Sequence, residues 1–258
     1  MIDRPLPTLQ AWSDAFHGAE VPVLPGTAAE IQRLALIEEE RGTVDAHTLA
    51  EAFAPDPLMT LRVLTHVSHY CTRLNVEPPE SLVGALVMQG IGPFFTAFAS
   101  PAVTDDVLAA VPAARAGLAD VVLRARRAAH FAMGFAIRRQ DEDAALIQEA
   151  ALLHDFAEML LWCHAPALAL TIAQQLEADH TRRSAEVQHA VLGITLGELS
   201  HHLMHRWQLP DLLLQATEPG QRPQPRAQTV KLAVRIARHT RYGWDDPHAQ
   251  AALHDDAA

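Results

Sequence analysis

Residues 149–161 read EAALLHDFAEMLL, with His154 and Asp155 set inside an apolar run. Apolar residues recur here at three- and four-residue spacing, which is the period of an α-helix and not of a strand. The same period, with Ala, Leu, Arg, Glu and Gln between the apolar positions, runs through most of the chain, and no stretch shows a strong strand alternation. The pattern predicts an all-α fold, with one helix over about 143–163 carrying the His-Asp pair.

Punctuation sets the neighbouring elements. Toward the C-terminus, helices are expected at about 165–179, 183–206, 210–217 and 227–240, with EPGQRPQPR (218–226) as a loop and the last dozen residues fraying. Toward the N-terminus, a helix is expected at about 115–139. Ser81–Met88 and Pro93–Ala99 read as two short helices, with Gly90 as a C-terminal cap. Asp56 caps and Pro57 opens a helix that ends before Pro78-Pro79 and turns Leu58, Leu61, Val63, Leu64 and Val67 inward. Asp45 caps the helix before it, through Phe53. Thr27 and Glu30 have capping-box spacing for a helix to Glu40, with Ile31, Leu34, Leu36 and Ile37 facing the core. Pro22 and Pro25 bracket a short extended piece, and the first 20 residues read as a loosely attached lead-in. The expected division is a lead-in (1–20), two helical lobes (21–114 and 115–245) and a tail (246–258).

Of the 258 residues 49% are hydrophobic and 20% charged, which excludes disorder over most of the length. Lys+Arg number 20 against 31 Asp+Glu, a formal charge of -11, so the basic footprint of a nucleic-acid binder or of a helix lying on anionic lipid is missing. A focused patch of Arg124, Arg126, Arg127, Arg138 and Arg139 would be needed to restore one. Apolar runs break before the roughly 18 residues a spanning helix needs, and the N-terminus has no positive start followed by an apolar run. Cys71 and Cys163 are too few for a disulfide framework or a thiolate zinc cluster, which fits a reduced, cytoplasmic setting. Lys231 is the only lysine, and the Arg and Ala usage points to a GC-rich, bacterial coding bias.

An imidazole and a carboxylate are two ligands, and a hydrolytic metal centre needs a third, usually a fourth, and an open position for water. Taken alone, the His-Asp dipeptide is a weak signal that reads as chance or as a plain buried hydrogen bond. In its wider context, however, the chain resembles the HDOD family, bacterial output or adaptor modules related to the HD-type metal-dependent phosphohydrolases. The resemblance covers roughly residues 21–240. DPLMTLRVL (56–64) is similar to the family's Asp-Pro-x-Leu-x-x-Arg-Leu-Leu stretch, and VMQGIGPF (87–94) to its Ala-Ile-x-x-Leu-Gly turn. LLHDFAEML (152–160) is similar to its Leu-Leu-His-Asp-Ile-Gly-Lys segment, and HRWQLPDLL (205–213) to its Trp-x-Leu-Pro segment. The resemblance implies an N-terminal helical lobe packed on a degenerate HD-like lobe.

The departures bear on function. Ala157-Glu158 stand where the family has Gly-Lys, Thr195-Leu196 where relatives often carry Asp-His, and Glu218-Pro219 where a His-His pair often follows. Val234 stands at the closing metal-binding Asp of active HD enzymes. His130, His154 and Asp155 are then the relict positions, too few for a hydrolytic centre. We expect Asp155 to be held by His130 first, or by an arginine or a backbone N–H, pinning two helices together. The implied activity is non-catalytic signalling through a protein partner or a small ligand in the cleft between the lobes, with no cofactor, no metal, no membrane and no nucleic acid. The alternative is a residual metal-dependent phosphohydrolase acting on a nucleotide or cyclic dinucleotide.

Other clusters have plainer readings. Glu198, His201 and His205 fall at i, i+3 and i+7 on one helix face and are a weak surface metal candidate, or simply a solvated face. Ser68 and Cys71, beside His66 and His69, lack the spacing of a triad and any glycine-rich elbow, so they read as an ordinary helix. Trp162 and Trp207 read as core aromatics.

Overall fold

The computed structural model describes residues 1–179, 181–218, 224–241, 243–245 and 250. Among these residues the regular structure is fifteen α-helices and one isolated parallel bridge. The order begins with α1 (Leu9–His17), then α2 (Pro25–Arg41), α3 (Ala46–Phe53), α4 (Pro57–Leu74), α5 (Leu82–Gln89), α6 (Ile91–Ala97) and α7 (Thr104–Val107). It continues with α8 (Pro112–Arg138), α9 (Ala144–Leu153), α10 (Phe156–His164), α11 (Pro166–Ala178) and α12 (Ser184–Leu192). The last three are α13 (Leu196–Arg206), α14 (Asp211–Thr217) and α15 (Pro225–His239). Apart from Gln250, the expected fraying tail lies outside the described residues, as does the centre of the 218–226 loop.

The Asp-Pro signal is the anchor of the first lobe. Asp56 Oδ1 accepts from the N–H groups of Leu58 and Met59 at 2.9 and 3.1 Å, as an N-cap should. Its other oxygen accepts from Leu24 N at 2.9 Å and from the Thr27 hydroxyl at 2.7 Å. One buried carboxylate therefore fastens the starts of α2 and α4 together. Burial pushes this carboxyl up from its ordinary value, and the four donors oppose that rise. The capping box expected at Thr27 and Glu30 does not form: α2 starts two residues earlier, with Pro25 in its first turn and no side-chain cap. Thr27 therefore lies inside that turn and donates its hydroxyl to Asp56. Glu30 pairs with Arg33. Ile31 and Leu34 are buried, but Leu36 is 60% exposed. The extended piece after Pro22 is tied down as well: Val23 N donates to Ala102 O at 2.8 Å and Thr104 N donates to Val23 O at 2.9 Å.

In the second lobe α8 is central, packed against α9, α10, α11 and α15. Gly117 on α8 lets it approach α10 closely, since a Cβ there would stand 2.4 Å from the Trp162 ring. Trp162 and Trp207 are buried, as expected. Two helices expected to be single are broken: 143–163 at His154-Asp155, and 183–206 at Gly193, whose φ of 76° ends α12.

The first 20 residues are not loosely attached. Thr8 caps α1, and Trp12 and Phe16 are fully buried in it. The Trp12 indole N–H donates to Leu192 O at 3.2 Å, and Ile2 N donates to His164 O at 2.7 Å. These aromatics join one buried cluster that runs through both lobes. α4 reaches across to touch α9 and α10.

Asp56→Ala would strand four buried donors at two helix starts. We expect a loss of about 3 kcal/mol or more, a fall of roughly 6–12 °C in thermal midpoint, and Thr27→Val to cost about a third as much. Thermal unfolding of the three proteins checks this, and an Asp56→Ala midpoint within 2 °C of the parent would contradict it.

Candidate functional site

The break between α9 and α10 falls on the His-Asp pair. His154 ends α9 and Asp155 precedes α10 with φ -99° and ψ 24°, so neither lies within a continuous helix. Asp155 is aimed at α8 and α15. Its Oδ2 accepts from Arg124 Nε at 3.1 Å and Nη2 at 2.9 Å. Its Oδ1 lies 2.8 Å from His154 Nδ1 and accepts from Arg238 Nη2 at 3.3 Å. Arg124 Nη2 also reaches Glu158 Oε2, at 2.6 Å. The Asp155 and Arg124 side chains are 12% and 14% exposed, while Arg238 is 55% exposed and closes the cluster from outside.

The electrostatics follow from this layout. Burial alone would raise the Asp155 carboxyl, but the His154 hydrogen bond and the charges of Arg238, His154 and Arg124 bring it well below the usual carboxylate range. Burial acts against the Arg124 charge, yet Glu158 and Asp155 together raise its guanidinium above the ordinary value. Two carboxylates and two guanidinium groups thus balance each other. Against an ionised carboxylate, His154 Nδ1 carries the proton and donates.

This set does not suit a divalent ion. The faces of Asp155 that an ion would approach are engaged by cations, one of them by two N–H groups. Val234, at the expected closing carboxylate, is buried on α15 and offers no donor atom. One turn further along the same helix is Arg238, which puts a positive charge toward the place an ion would need.

His130 is not the partner of Asp155. It lies on α8 six residues beyond Arg124, on a different face, and its ring is exposed beside Phe131. The arginine alternative holds instead. Glu158 and Arg238 were missed. The available signal was the acidic pair Asp155 and Glu158, three residues apart in an apolar stretch, which demands a cation from a neighbouring helix.

The Glu198, His201 and His205 trio is not gathered. Thr195 and Glu198 form the capping box of α13, with Glu198 Oε2 accepting from Thr195 N at 2.7 Å. The His201 and His205 rings meet edge to face at 4.6 Å. Among the described residues no three His, Cys, Asp or Glu side chains are brought together as a metal site.

Near Ser68, Cys71 is buried against Met88, His66 meets the Phe98 ring and His69 meets His17. The arginines of α8 are braces rather than one patch. Arg126 donates to Pro55 O, Arg127 to Thr240, and Arg139 to Thr229 and Pro225. Among the described residues no single helix is long and apolar enough to cross a membrane.

The chain matches the family model described as HDOD domain over residues 21–223. Among solved structures, it is similar to the MmoQ response regulator of Methylococcus capsulatus, with 18% identity and a TM-score of 0.65, over 92% of this chain and 93% of that one. It is also similar to a virulence factor of Campylobacter jejuni, with 16% identity and a TM-score of 0.68, over 95% and 88%. At these identities the likeness speaks to the fold. No curated protein matches the chain.

Removing Arg124 would leave two carboxylates without their shared cation. We expect Arg124→Met to cost about 3 kcal/mol at pH 7, and Arg238→Met under about 1 kcal/mol because its guanidinium is half-exposed. The folded Asp155 value is depressed, so the stabilisation from Arg124 is present above the ordinary carboxylate value and is lost as pH falls through the folded one. Urea unfolding at pH 7 and near pH 3 should show the gap between parent and Arg124→Met narrowing at the lower pH. A gap that stays constant or widens would rule out this pairing.

Proposed function

As the chain belongs to the HDOD family, we propose that it is a non-catalytic signalling or adaptor module, working by binding a protein partner or a small ligand. The observation that carries this reading is the engagement of Asp155 by Arg124 and Arg238. A hydrolytic HD-type centre uses a divalent ion both to polarise the phosphoryl group and to make hydroxide from water. A guanidinium can do neither of these as an ion does. It has no open coordination position, and it keeps its protons at any pH a protein survives. What it supplies is a fixed positive charge and two or three directed hydrogen bonds, which hold α8, α10 and α15 in register. The scaffold is retained while the chemistry has become structural support.

That the similar Methylococcus protein is a response regulator agrees with a signalling role, which for this chain is our proposal. The acidic balance of the chain supports a partner other than nucleic acid.

The test is phosphate release by the full chain with added Mn²⁺, using a phosphomonoester, a nucleoside phosphate and a cyclic dinucleotide. We expect no turnover that distinguishes the parent from Asp155→Asn. Release abolished by Asp155→Asn would make the protein a hydrolase. The binding half of the proposal fails if neither crosslinking in the native cell nor a ligand screen by thermal shift finds a specific interaction.

A further inference from the structure

Two carboxylates away from the Asp155 cluster join the lobes in a crossed arrangement. α5 belongs to the first lobe, yet the N–H of its first residue, Leu82, donates at 2.9 Å to Glu149 Oε2 on α9 of the second. α14 belongs to the second lobe, yet the N–H of its first residue, Asp211, donates at 2.9 Å to Glu80 Oε2, just before α5 in the first. Each lobe therefore supplies the acidic group that satisfies a helix start in the other. Both glutamates line one small cavity, closed by the apolar side chains of Leu146, Leu153, Leu212 and Leu213.

We propose that Glu80 and Glu149 form a proton-operated latch between the lobes, closed while one of the pair is protonated and loosened when both are ionised. The proposal does not depend on what the Asp155 cluster does. A protonated Glu149 can still accept the Leu82 N–H through its carbonyl oxygen. Once ionised, it is a charge against apolar walls that shares its cavity with a second carboxylate, and separating the lobes hydrates both.

Burial, and not a neighbouring charge, is the main influence on Glu149. Burial pushes Glu149 up to about 7, opposed by the Leu82 N–H. Burial also raises Glu80, opposed by the Asp211 N–H and helped by the carboxylates of Asp211 and Glu77. Several basic residues of the elements packed on α9 are engaged elsewhere. Arg139, at the end of α8, donates to Thr229 and Pro225. On α15, Arg226 pairs with Asp141 and Asp143, and Lys231 donates to Glu218 O at the far end of α14. Arg73 of α4 lies over the Tyr70 ring. Thr72 of α4 donates to Gln208 Oε1 just beyond α13, at 2.8 Å, and gives the lobes a second tie that does not titrate.

The sign is fixed by linkage. The closed state binds the proton more tightly, so closure weakens as pH rises from the ordinary carboxylate value toward 7. With Glu149 near 7 when closed and at its ordinary value when open, the closed-to-open ratio falls about tenfold between pH 6 and pH 8. Amide hydrogen exchange at Leu82 and Asp211, read in the intact chain and corrected for intrinsic base catalysis, measures that ratio. The parent should lose about tenfold protection at both amides over this range. Glu149→Gln keeps the shape and an accepting oxygen, and should show constant protection. Constant protection in the parent, an equal fall in Glu149→Gln, or a fall at Leu82 without one at Asp211 would each overturn the latch. A parallel Glu80→Gln variant removes the second negative charge from the cavity, so Glu149 ionises there more readily and the fall should shift to lower pH; an unchanged or higher midpoint would contradict the pairing.

Discussion

The carboxylate of Asp155, held by Arg124 from one side and by Arg238 and His154 from the other, is the contact on which the second lobe turns. It lies where α8, α10 and α15 converge, and it is largely withdrawn from water. A charge in that position needs a counter-charge. In a metal-dependent relative the counter-charge would be an ion that comes and goes with solvent and substrate. Here it is covalently part of the chain. Glu158, where the family places a lysine, makes the demand for a cation larger, and Arg124 serves both acids at once. Charge balance and geometry at Asp155 are thus met by side chains of the chain itself, and Val234 adds no carboxylate to them.

The same physical device recurs elsewhere in the fold. Helix starts leave N–H groups unpaired, and carboxylates satisfy them. Asp45 and Glu198 do this within their own segments. Asp56 caps α4 and simultaneously holds the start of α2. Glu80 and Glu149 do it across the lobes. An acidic chain with a single lysine uses part of its negative charge as internal fastening, and that fastening crosses between elements at Asp56, Glu80 and Glu149.

The features legible in the sequence were those decided by near neighbours. Asp56-Pro57, Asp45 and Ser81 start helices because cap and first turn sit within three residues of each other. Leu58, Leu61, Val63, Leu64 and Val67 share a face because the helical period places them there. What escaped was decided at long range. Thr27 has the spacing of a cap, but the helix starts two residues before it and its hydroxyl donates to a carboxylate 29 residues away. Trp12 is buried by a carbonyl 180 residues away, so its segment reads as a lead-in until the second lobe is in place. The helix break at His154-Asp155 carries no glycine or proline to announce it. The sequence leaves His130, an arginine or a backbone N–H as the partner of Asp155, and choosing among them requires the rotation of α8, which packing fixes.

The central claim is that guanidinium groups stand where a hydrolytic ion would have to stand. It is tested most directly by an experimental structure of the full chain grown at neutral pH and soaked in Mn²⁺, with anomalous scattering recorded at the metal edge. We predict Arg124 within hydrogen-bonding distance of both Asp155 and Glu158, and no anomalous peak beside Asp155. A peak at about 2.1–2.3 Å from an Asp155 oxygen, with Arg124 swung away, would contradict the account.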